Sequence, residues 1–277
     1  MARSVTAGTL LDEALGALDE GDPERALELA VEGARLAGRD DDEELQARLA
    51  ITEGQARLAL GDSRAALECI TRGARSFPDD LDVQVEEATA LHELSRFEEA
   101  AAILARVLEE DPGDAGAHWL LGLSVERLGR AEAAERHLDR AREIAPDDFP
   151  APVTLSPEAF EAVVEQALAE LPEPVRRWLS NVAVTVEDLP EAEELLSSEP
   201  PHSPSILGIF RGSPVGDKAS MDPWSHFPSS IALFQRNLER MARDPDELLE
   251  EIRITLLHEV GHFLGLDEDR LRELGLD

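Results

Sequence analysis

Pro78, Pro112 and Pro146 stand 34 residues apart, and other residues keep the same interval. Twelve positions before each proline is an alanine (Ala66, Ala100, Ala134), and twenty-four before is a small residue (Gly54, Ala88, Gly122). Eight before is a large aliphatic one (Ile70, Leu104, Leu138). An interval of this length holds two helices and a turn, and small residues are what paired antiparallel helices need where their backbones cross. From about residue 10 to residue 147 the chain is rich in Ala, Leu, Glu and Arg, all helix formers. Its breaks fall at Gly21-Asp22-Pro23, Gly61-Asp62, Phe77-Pro78-Asp79-Asp80 and Asp111-Pro112-Gly113-Asp114. The first half is therefore predicted to be a stack of helical hairpins.

On those positions the stretch resembles the tetratricopeptide repeat family. Three units run approximately over Gln46–Asp79, Asp80–Gly113 and Asp114–Asp147. An earlier helix pair near Leu11–Gly38 has Ala14 and Ala26 in the small positions. Glu53 and Glu87 depart from the pattern, standing where the family usually has leucine, and Arg57 stands where it usually has an aromatic. The resemblance implies a concave surface for a protein partner or substrate. His92, His118 and His137 lie in repeat helices at no ligand spacing and read as packed or solvated side chains. Trp119 reads as core, and Cys69, the only cysteine, as a small buried residue.

Asp147 to Leu155 breaks both the period and the helix, because Pro150 and Pro152 favour extended backbone. The expected division is repeats over 1–147, a linker over 148–155 and a second domain over 156–277. Ser156-Pro157-Glu158 is a helix start, with a capping serine and proline at the first helical position. A second short helix is expected over Pro174–Leu179. Strands are predicted at Asn181–Glu187, Ile206–Arg211 and Ser230–Phe234, with a loop containing Trp224 between the last two. A helix from about Pro245 follows, so the second domain is α+β, a small sheet backing a final helix.

That helix carries His258-Glu259-Val260-Gly261-His262. Imidazoles four residues apart project from one helical face and can share one metal ion. Glu259, rotated about a third of a turn, can reach a metal-bound water as a general base. Leu249, Ile252, Leu256, Val260 and Phe263 form a separate apolar stripe. Gly265 is a natural stop for the helix. Three acids follow it, Asp267, Glu268 and Asp269, and hydrolytic zinc usually takes three protein ligands. A third donor six residues after the second histidine would be Glu268.

Asn-Val-Ala-Val-Thr-Val-Glu-Asp, Leu-Gly-Ile-Phe-Arg-Gly, Ile-Ala-Leu-Phe and Thr-Leu-Leu-His-Glu-Val-Gly-His together resemble the bacterial minimal zincin-like metallopeptidases, over about residues 156–277. The resemblance implies His258 and His262 as ligands, Glu259 as base and Glu268 as third ligand. It also implies Zn²⁺, for which Co²⁺ or Mn²⁺ could substitute in vitro. Phe263 stands where such proteins often have another histidine or an aromatic. The expected function is a zinc-dependent peptide hydrolase with a peptide or protein substrate; the alternative is a repeat adaptor whose zincin-like domain binds metal or peptide without turnover. With no tyrosine in the chain, His202, His226, Arg211 or a backbone amide would stabilise the oxyanion.

The balance of 60 acidic against 26 basic residues, a formal charge of −34, repels phosphate backbones and anionic lipid. Nucleic acid and membrane partners are disfavoured. A single cysteine excludes an internal disulfide and a cysteine-based zinc site. With no secretory signal visible near the N-terminus, the expected location is the cytoplasm.

Overall fold

The structure, a computed structural model, describes residues 6–180, 182–212, 229–266 and 270. Among these are thirteen helices and three strands. The chain divides into two compact units, Met1–Phe149 with Ala192–Pro204, and Pro150–Glu191 with Ser205–Asp277.

The first unit begins with four helical hairpins. These pair α1 (Ala7–Asp19) with α2 (Pro23–Asp40), α3 (Glu43–Ala59) with α4 (Ser63–Ala74), α5 (Leu81–Glu93) with α6 (Phe97–Glu110), and α7 (Ala115–Arg127) with α8 (Ala131–Ile144). The aspartates at the sequence breaks cap helices: Asp22, Asp62, Asp80 and Asp114 each accept a hydrogen bond from a first-turn backbone N–H. The small positions do what the period requires. A Cβ on Gly122 would lie 2.7 Å from Leu138 Cγ and 3.2 Å from the Ala134 carbonyl oxygen, and one on Gly54 would collide with Ile70. Ala66, Ala88, Ala100 and Ala134 are all buried.

The departures from the repeat pattern are paired polar groups. Glu53 sits against Arg57 at 2.8 Å and Arg72 at 3.3 Å, and Thr71 Oγ1 donates to Glu87 at 2.9 Å. His92 is buried, with Nδ1 2.9 Å from Ser124 Oγ, and burial pushes its pKa down to about 4. Cys69 is also buried. Trp119 is half-buried, stacked on Phe149 with centroids 4.9 Å apart.

Ala192–Pro204, inside the span expected for the second domain, groups with the repeats. It contains a one-turn helix, α11 (Ala192–Leu195), and Leu195 is fully buried. Arg64 pairs with Glu199 at 2.9 Å, and Ser203 hydrogen-bonds Glu93, whose pKa is nonetheless raised by burial.

In the second unit, helices α9 (Pro157–Glu170) and α10 (Glu173–Leu179) precede β1 (Ala183–Glu187), β2 (Gly208–Arg211) and β3 (Ser230–Phe234). The sheet order is β1-β3-β2; β1 runs parallel to β3, and β2 antiparallel, with Gly208 opposite Leu233. Two more helices follow, α12 (Gln235–Met241) and α13 (Pro245–Phe263). Phe160, Val164, Ile231, Leu233, Leu238, Ile252 and Leu256 form one core. Helix α12 was not among the sequence expectations, although its Leu238 is fully buried. It also anchors the incoming chain: Glu239 accepts from the Leu155 N–H at 2.9 Å, and Gln235 donates to the Leu155 carbonyl at 3.2 Å.

Candidate active site

Helix α13 is fixed at both ends. At its start Asp244 accepts from the Asp246 and Glu247 N–H groups, with Pro245 in the first turn. At its end Gly265 has φ 82°, its N–H donating to the His262 carbonyl at 2.9 Å while the Leu266 N–H donates to Gly261 at 3.0 Å. That pair of bonds is a Schellman closure, which needs a residue at ease in the left-handed region. Between the ends Leu248, Ile252, Leu256, Val260 and Phe263 face the core. Each such side chain contributes about 1.5–3 kcal/mol on burial. Leu248 is fully buried and Leu249, expected in the stripe, only half so, because the face continues backwards from Leu256 through Ile252 in steps of four.

His258 and His262 meet on the flank of this helix. Their Nε2 atoms are 3.0 Å apart and their ring centroids 4.7 Å, with the rings at 77°. Both are half-buried, and Glu259 is 5% exposed. Two nitrogen donors bound at 2.0–2.1 Å to a tetrahedral ion stand roughly 3.3 Å apart, so the donor pair fits a zinc-sized ion with little adjustment. Asp267, Glu268 and Asp269 lie outside the described residues, as do His226 and Trp224. Among the described residues no group of three or more His, Cys, Asp or Glu side chains is arranged to hold a metal.

A cleft of about 240 Å³ opens beside the pair, lined by Ile206, Leu207, Gly208, Glu251, Ile254, Thr255, His258 and Glu259. One wall is the end of β2. The Phe234 N–H donates to the Leu207 carbonyl at 2.9 Å, and hydrogen-bonded pairs alternate along an antiparallel ladder. Ile209 and Arg211 therefore also turn their peptide groups to β3, while those of Gly208 and Phe210 turn the other way, to the edge that β2 forms among the described residues. Helix α13 crosses close by, for a Cβ on Gly208 would lie 2.7 Å from Thr255 Cγ2 and 3.1 Å from the Ala232 carbonyl oxygen. Asn237 Nδ2 donates to the Ile206 carbonyl at 2.7 Å and fixes the entry to the strand.

Gly208 and Asn237 were not singled out from sequence. A glycine inside a strand pattern was the available sign of close backbone approach; nothing marked Asn237. Of the proposed oxyanion groups, Arg211 is engaged in two hydrogen bonds by Glu187, at 2.5 and 3.0 Å, which hold the Glu187 carboxyl below its usual pKa. His202 is exposed and belongs to the unit built on the repeats.

Known families match two parts of the chain. Residues 179–276 match the family described as zincin-like metallopeptidase. Residues 51–115 and 91–155 each match a tetratricopeptide repeat family. A search of curated proteins finds no match. Similar solved structures include one titled "Crystal structure of MamA", 20% identical with a TM-score of 0.43, covering 51% of this chain and 80% of that chain. Another is "MamA 41-end from Desulfovibrio magneticus RS-1", 19% identical with a TM-score of 0.44, covering 64% of this chain and 90% of that one. The chain thus joins tetratricopeptide repeats, within residues 51–155, to a zincin-like metallopeptidase domain at residues 179–276.

Proposed function

We propose that the protein is a zinc-dependent peptide hydrolase whose repeats bind a protein partner or the substrate. The observation that carries this reading is the convergence of His258 and His262, Nε2 to Nε2 at 3.0 Å, beside a buried Glu259 and a cleft walled by an edge strand. His258 and His262 would hold the ion, with Glu268, the acid six residues past His262, as the third donor. Zinc held there would supply Lewis-acid polarisation of the scissile carbonyl and would make water acidic enough to be deprotonated near neutral pH. Glu259 accepts the proton of the attacking water and delivers it to the leaving amine. The peptide groups of Gly208 and Phe210 pair with an extended substrate, as edge strands do in peptide recognition. Ile206, Leu207 and Ile254 give the cleft an apolar wall that favours an apolar substrate side chain.

The test is Glu259→Gln in the full chain, assayed with a peptide library alongside metal analysis. Retained zinc with cleavage lowered by about a hundredfold or more supports the reading, since a general base contributes 10²–10⁴-fold. Unchanged cleavage removes Glu259 from the chemistry. A wild-type protein that neither holds zinc nor cuts any peptide favours the adaptor instead.

A further inference from the structure

The last repeat brings together two histidines that are nineteen residues apart in sequence. His118 on α7 and His137 on α8 place their Nδ1 atoms 3.0 Å apart, with ring centroids 5.2 Å apart and planes at 34°. The Nε2 atom of His118 lies 3.3 Å from the Pro112 carbonyl oxygen. A carbonyl only accepts, so His118 donates from Nε2, and its Nδ1 then carries the lone pair. A backbone carbonyl orienting one ring nitrogen while the other stays available is the usual outer support of a metal-ligating histidine. His137 in turn donates from Nδ1 to His118 Nδ1. Burial, then His118 and Arg136, push its pKa down.

We propose that His118 and His137 form a second divalent transition-metal site, separate from the pair on α13, which clips the two helices of the last repeat together. Bond lengths of 2.0–2.1 Å put two nitrogen donors about 2.9 Å apart at a right angle and roughly 3.3 Å apart at a tetrahedral one. The 3.0 Å separation lies between these. Binding requires only a change of tautomer at His137: its Nδ1 proton leaves to solvent and one is taken up at Nε2, with no net change in protons. Two imidazoles suit Zn²⁺, Ni²⁺ and Cu²⁺ over Mg²⁺ or Ca²⁺. Water completes the shell, since among the described residues no third ligating side chain joins the pair. No spacing in the sequence marks the pair, because the two residues sit on different helices and meet only when the hairpin closes.

The test titrates the full chain carrying His258→Ala and His262→Ala with Zn²⁺ and with Ni²⁺, by calorimetry. One ion per chain is expected, lost when His118→Gln or His137→Gln is added, with helical circular dichroism unchanged. No binding in the parent, or binding that survives both glutamine variants, overturns the proposal. If a glutamine variant unfolds, the unmutated chain decides. Zn²⁺ should slow carbethoxylation of His118 and His137 severalfold, read by peptide mass, and modification at an unchanged rate overturns the site.

Discussion

Gly208 shows how one missing atom can set a distance that chemistry depends on. Thr255, on the helix turn before His258, approaches the strand because residue 208 has no side chain. Gly208→Ala should cost about 1–3 kcal/mol, the usual range for overpacking a close contact. Thr255→Ser, which removes Cγ2, should recover part of the loss in the double variant; thermal denaturation of the four proteins measures both. Equal stability of Gly208→Ala and wild type would mean that the helix has room to retreat. At this scale the sequence was most informative where chemistry is local. His258 and His262 lie about one helical turn apart, and that spacing predicted their shared face, with Glu259 about a third of a turn away. It was least informative where partners are distant: Asn237 reaches Ile206 across 31 positions and His118 reaches His137 across 19. No local pattern encodes such meetings.

Among the elements, helices with capping residues and strong periodicity were the most legible. The 34-residue interval gave the hairpins because Gly54, Gly122 and their aliphatic opposites must repeat wherever two helices touch. Helix α12 was missed, since Gln235–Met241 follows β3 without a break and carries no capping side chain. Place in the chain puts Ala192–Pro204 with the second domain, whereas its contacts with Arg64 and Glu93 group it with the repeats.

Helices α5 and α7 are joined by His92 and Ser124, which gives the repeats a pH dependence. The folded pKa of His92 lies at about 4, below the 6.5 of an exposed ring, so the unfolded chain binds more protons between those values. Stability therefore rises with pH across that window and is lost as pH falls through it, by up to about 3 kcal/mol. Urea midpoints at pH 7 and pH 5 should differ more for wild type than for His92→Asn. An equal pH dependence in the two proteins would show that His92 is not the group responsible.

For the whole molecule, the two halves were legible to different degrees. The helical-repeat and α+β classes both followed from patterning, whereas the pairing of tetratricopeptide repeats with a zincin-like domain followed from the resemblance to those families. No described helix is long and apolar enough to cross a membrane. The strand partners did not follow: β1 lies parallel to β3, with β2 on its other side, an order that no hydrophobic alternation specifies.

The imidazoles on α13 are expected to hold a metal ion. Crystals of the full chain grown with Zn²⁺ and measured on both sides of the zinc absorption edge test it directly. The predicted result is an anomalous peak about 2.0–2.1 Å from both His258 Nε2 and His262 Nε2, with an acid from Asp267–Asp269 beside it. Absence of a zinc peak at this pair, with the two rings still in contact with each other, would contradict it.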